Sequence, residues 1–163
     1  MGNTRVLGEP PRTSGNLKPT APAVHRELAA LRVLGTSVTQ VSAVKSAAES
    51  DLGFKLDLIT LDGAAAQQRG ALHPQSFDIY DQWFHDLDLI WPTGSLQPLQ
   101  INRLERWSEI NDLPKTGRLS AEHTRLAGAD PSQQLYVQLD GGLSNLPTEQ
   151  ISMLPTVHNA DGF

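Results

Sequence analysis

The chain contains no cysteine, which removes disulfides, thiolate nucleophiles and cysteine-based metal sites together. It has no apolar run near the ~20 residues needed to cross a bilayer. It also lacks a basic surplus. Thirteen Lys and Arg stand against 18 Asp and Glu, a net of −5, which argues against nucleic acid, whose phosphates demand a basic face. Glycine-rich phosphate fingerprints are missing: neither GxGxxG nor GxxxxGK[ST] occurs. There is no GxSxG elbow and no HExxH pair, and His25, His73, His85, His123 and His158 lie far apart. No carboxylate pair is framed for acid–base work. These absences leave no catalytic set, no cofactor and no resident metal to assign, so a non-enzymatic protein is expected.

What is present fits one domain or one lobe of a larger protein: 163 residues, 39% hydrophobic and 19% charged. The charge is unevenly placed. Residues 1–32 carry five basic and two acidic side chains, a net of +3, whereas residues 47–112 carry four and eleven, a net of −7. Residues 1–26 hold Pro10, Pro11, Pro19 and Pro22 without an apolar pattern, and are expected to form a flexible leader. No apolar stretch of a secretion signal follows the basic residues.

Periodic structure begins near Glu27. Leu31 to Leu34 is a short apolar strand ending at Gly35, with Thr36, Ser37 and Thr39 available as helix caps. Val41, Val44, Ala48 and Leu52 form one helical stripe, stopped by Gly53. Phe54, Leu56 and Leu58 alternate with Lys55 and Asp57, as in a strand with one wet face. Asp62-Gly63 opens a helix over about Ala64 to Leu72, ended by Pro74. Phe77 to Tyr80 is the third strand, and a short helix follows from Phe84 to Trp91. Alternation of this kind predicts an α/β fold with an open, mainly parallel, doubly wound sheet and flanking helices. Beyond residue 100 the pattern weakens to a turn and a half of helix around Leu104, Trp107 and Ile110, and one strand at Leu135 to Leu139. The chain stops at Asn159-Ala160-Asp161-Gly162-Phe163 without a closing helix, which predicts an incomplete domain.

In open parallel sheets ligands sit at the carboxyl ends of strands where the strand order reverses. For an order beginning 2-1-3, that place lies between the first and third strands. Thr36, Ser37, Tyr80, Asp81, Gln82 and Trp83 are therefore the candidate ligand-binding residues. All but Gln82 have a plainer reading: Thr36 and Ser37 as helix caps, Tyr80 and Trp83 as core or rim aromatics, and Asp81 as a charge offsetting a helix dipole. The run His85, Asp86, Asp88 reads as a solvated face, with His85 and Asp88 an i, i+3 pair that does not by itself make a metal site.

The segments Leu31-Arg-Val-Leu-Gly-Thr-Ser-Val-Thr, Asp51-Leu-Gly-Phe-Lys-Leu, Ser76-Phe-Asp-Ile-Tyr-Asp-Gln-Trp-Phe and Trp91-Pro-Thr-Gly-Ser-Leu-Gln-Pro-Leu carry a family resemblance. Arg103-Leu-Glu-Arg-Trp-Ser-Glu-Ile and Gln150-Ile-Ser-Met-Leu-Pro-Thr-Val-His-Asn-Ala-Asp-Gly-Phe continue it in order. Over residues 27–163 the chain resembles the bacterial extracellular solute-binding proteins of ABC importers, and within them the spermidine/putrescine-binding branch. The resemblance implies the first lobe of a type II periplasmic-binding-protein fold, truncated before its second lobe. It implies a monomer in the periplasm that captures a small polar, cationic, polyamine-like solute for a membrane ABC permease. It places the cleft at the same six residues and adds Asn159 and Asp161 near the hinge. Polyamine binders carry an aromatic residue right after the first strand, where this chain has Gly35-Thr36-Ser37. Three alternatives stand beside this reading: a ferric or other metal binder of the same fold using Tyr80, Asp81 and His85, a truncated fragment without activity, and a hydrolase on a doubly wound sheet.

Overall fold

The computed structural model describes residues 30–118, 120–123 and 131–156. The leader over residues 1–26, with its boundary, lies outside the described residues, as do Asn159 and Asp161.

Strand β1 (Leu31–Gly35) leads through helix α1 (Ser42–Leu52) to β2 (Leu56–Thr60), and through helix α2 (Gly63–Leu72) to β3 (Ile79–Asp81). Both pairings are parallel and the order is β2-β1-β3, the arrangement with a reversal point between the first and third strands. Gly53 ends α1 in the left-handed conformation (φ 74°), which glycine adopts without steric cost. Asp62 caps α2 by accepting from the Ala65 amide at 2.9 Å. Arg32 holds the approach to β3, donating to both carboxylate oxygens of Asp78 at 2.8 and 3.0 Å.

Leu34, Ala66 and Phe77 are buried together, with Ile59, Leu61, Tyr80 and Leu96 packed around them. Helix α2 comes close because Gly70 has no Cβ: one would meet the Tyr80 ring at 2.9 Å. Helix α1 has no buried residue, and Val44 and Leu52 of its apolar stripe are more than half exposed. The helix predicted over Phe84 to Trp91 is one turn of α-helix, α3 (Leu87–Ile90), between 3-10 turns at Phe84–Asp86 and Trp91–Thr93.

The second half differs from the expected single, mainly parallel sheet. After 3-10 turns at Ile101–Arg103 and Trp107–Glu109 and helix α4 (Leu113–Thr116), it forms a separate antiparallel sheet. Strands β4 (Leu99–Gln100), β5 (Tyr136–Val137), β6 (Leu143–Ser144) and β7 (Gln150–Ile151) run in the order β4-β7-β5-β6. Each is two residues long, too short for alternation to register in sequence. Leu135, Tyr136 and Ile151 form its core, flanked by Ile101, Leu104, Trp107 and Met153. Among the described residues two polar bonds tie the halves: the Trp91 indole N–H donates to the Gly141 carbonyl at 2.9 Å, and the Gln134 side-chain amide donates to Asp88. The molecule is thus mixed α/β, with a three-stranded parallel sheet beside a four-stranded antiparallel one. Among the described residues no helix is long and apolar enough to cross a membrane.

Candidate functional site

At the carboxyl edge of the parallel sheet, Gly35 of β1 stands opposite Asp81 of β3. A Cβ on Gly35 would lie 2.4 Å from the Asp81 carbonyl oxygen and 2.8 Å from Gln40 Nε2, so only glycine lets the two strand ends meet. Beyond it the chain turns sharply, Thr36 buried and Ser37 exposed, with the Gln40 amide donating to the Thr36 carbonyl at 3.3 Å. The turn carries Thr39 back to the sheet, where its hydroxyl donates to Asp81 Oδ2. Gln40 braces two strand ends: its amide donates to the Val33 carbonyl at 2.9 Å, and its Oε1 accepts from the Thr60 hydroxyl at 2.7 Å.

The cap reading of Thr36, Ser37 and Thr39 fails. The N-cap of α1 is Val41, with no side-chain cap bond, because Thr36 packs inward and the Thr39 hydroxyl is used by Asp81.

On the β3 side, Gln82 reaches the start of α2, its amide 3.4 Å from the Gly63 carbonyl while its Oε1 accepts from the Trp83 amide. Trp83 is half exposed, lies against Gly63 (a Cβ there would be 2.8 Å from the ring) and stacks on His85 with centroids 5.5 Å apart. Thr36, Ser37, Asp81, Gln82 and Trp83 therefore flank one edge. Asp81 is only partly exposed, and among the described residues no Lys, Arg or His pairs with it.

Tyr80 does not join them. Side chains alternate along a strand, so Tyr80 faces α2 while Asp81 faces the edge. Its hydroxyl donates to Asp86 Oδ2 at 2.9 Å, and Gln67 donates to Asp86 Oδ1 at 3.1 Å. Burial first, then the bond to Asp86, pushes the Tyr80 hydroxyl well above the usual phenol range. Asp86 is buried at 3% exposure, which corrects its placement on a solvated face. His85 is exposed, and Asp88 accepts from Gln134. Among the described residues no group of three or more His, Asp or Glu is placed to hold a metal ion.

Sequence reading missed Thr39, Gln40 and Asp86. A tight turn folding a hydroxyl back onto a neighbouring strand leaves no spacing signal, and a buried aspartate looks like a surface one until its donors are known. Two clefts lie elsewhere, one of about 470 Å³ beside α4 and β5 and one of about 410 Å³ at Arg69 and His73 of the α2 end. Neither is lined by the candidate residues. No family model, no curated protein and no solved structure matches this chain.

Proposed function

We propose that this chain is the first lobe of a solute-binding protein serving an ABC importer, and that it holds a small amine-bearing, polyamine-like solute at the β1–β3 edge. The observation that carries the reading is the carboxylate of Asp81, partly screened from water, without a cationic partner among the described residues, at the reversal point of a β2-β1-β3 sheet. A cationic nitrogen there gains charge attraction from Asp81, and the nearby Trp83 ring can add a cation–π contact worth ~0.5–2 kcal/mol. Ser37, exposed in the turn after β1, supplies a hydroxyl on the same edge, whereas Thr36 is packed inward. The strand order and the resemblance over residues 27–163 support the type II lobe, in which a second lobe closes over the solute and a membrane permease receives it. In this reading the protein works in the periplasm as a monomer.

The test is thermal unfolding of the full chain with millimolar putrescine, spermidine, an amino acid or ferric ion. A ligand that binds only the folded state stabilises it by RT ln(1 + [L]/Kd), ~2.7 kcal/mol at a hundredfold excess over Kd. The expected result is a concentration-dependent rise with an amine, lost in Asp81→Asn and reduced in Trp83→Ala. A rise with ferric ion alone would favour a metal binder of the same fold. A cooperative transition that no amine moves would sink the reading.

A further inference from the structure

We infer that the cleft beside α4 and β5 is a second, separate binding site, for a small oxyanion: the phosphoryl or carboxylate group of a polar small molecule. Its volume, about 470 Å³, lies within the range of small-molecule sites, and among the described residues its lining carries two cations against one carboxylate in a chain that is acidic overall. Lys115 and Arg118 both line it, and among the described residues neither pairs with a carboxylate. The Lys115 ammonium is partly buried and fixed by the carbonyls of Trp107 and Ile110, 4.8 Å from the centroid of the Trp107 ring. Carbonyl dipoles and a ring face position a charge without neutralising it, and the ammonium has three donors, of which these bonds use two. The Arg118 guanidinium is exposed at the rim and forms no side-chain hydrogen bond among the described residues.

The second observation is Tyr136. It is 7% exposed, yet its hydroxyl has no hydrogen-bond partner among the described residues. The only such side-chain atom sealed from solvent there is Gln134 Oε1, so the Tyr136 hydroxyl reaches open space while its ring is packed. Burial raises its pKa above the usual phenol value. The Asn145 side-chain amide lines the same cleft without a hydrogen bond among the described residues. Guanidinium, phenol and amide together offer donors to an anion with several oxygens, and Lys115 adds a positive charge to the lining. Among the described residues one carboxylate, Asp112, also lines the cleft.

The test is calorimetric titration of the full chain with inorganic phosphate and, separately, citrate, at ionic strength held constant with sodium chloride. Saturable binding is expected, weakened at least tenfold by Arg118→Ala and by the near-isosteric Tyr136→Phe. Asp81→Asn should leave it unchanged, which separates this site from the amine site. Tighter binding of phosphate assigns a phosphoryl ligand, and tighter binding of citrate a carboxylate. Amide chemical-shift changes clustered at residues 115–118, 136 and 145 are expected on the same titrations. Absence of saturable binding, or equal affinity in the folded Tyr136→Phe and Arg118→Ala variants, overturns the inference.

Discussion

Asp78, Asp81 and Asp86 meet three different environments. Asp78 lies under the Arg32 guanidinium, whose side chain and backbone amide donate to it, and these bonds hold its carboxyl below the usual range. Protonating it costs more in the folded state than in the unfolded one. Its contribution is therefore present above the unfolded value, about 3.9, and is lost as pH falls through the depressed folded value. Asp78→Asn should be less stable than wild type at pH 7, and the two should converge in acid. Urea midpoints measured from pH 7 down to pH 2 check this, and parallel curves would refute it. Asp86 is buried on the Tyr80 and Gln67 donors with His85 Nε2 3.7 Å away, and Asp81 has a hydroxyl but, among the described residues, no cation. Only Asp81 was legible as a candidate site residue, because it stands at the carboxyl end of a strand. The distinction between Asp86 and its exposed neighbours rests on Tyr80 and Gln67, which arrive from other elements.

Among the elements, those with strong periodicity were readable. The stripe of α1, the Asp62 cap of α2 and the three parallel strands all stand close to where spacing and turn residues put them. What spacing does not carry is depth: the stripe of α1 is regular, but no residue on it is buried. Nor does it carry the two-residue strands of the second sheet, whose order depends on partners distant in sequence. The strand contact most exposed to mutation is Gly35 against Asp81. In Gly35→Ala the new methyl meets a backbone carbonyl that cannot rotate away, so the strand ends must part and Gln40 must shift. We expect a loss of about 1–3 kcal/mol, read from chemical denaturation. Its amine response should be lost as well, since Asp81 moves with the strand. An unchanged midpoint would mean that the edge is looser than its geometry.

At the scale of the molecule, the buried apolar residues gather in two clusters. Leu34 centres one and Leu135 the other, and neither cluster contains a side chain of its counterpart. Trp91 to Gly141 and Gln134 to Asp88 bridge them. Stability is not uniform in such an arrangement, and the half with shorter strands opens first. The double variant Asp88→Ala, Trp91→Phe should speed hydrogen exchange of the β5–β7 amides at least tenfold while leaving the β1 amides near their original rates. Equal acceleration in both sheets would show one cooperative unit. The sequence's loss of pattern beyond residue 100 has its cause here, because the second core is assembled from turns and short strands.

The strand order also has a consequence in time. Strand β1 is the centre of its sheet and is translated before either neighbour. Arg32 and Asp78 lie 46 residues apart, so at about 5–20 residues per second roughly 2–9 s of synthesis separate them. Throughout that interval a nascent apolar strand has no permanent partner on the β3 side, and Leu34, later sealed at the centre of the core, is open to chance pairing. A chain built this way depends, while on the ribosome, on whatever shields that strand until Asp78 has emerged.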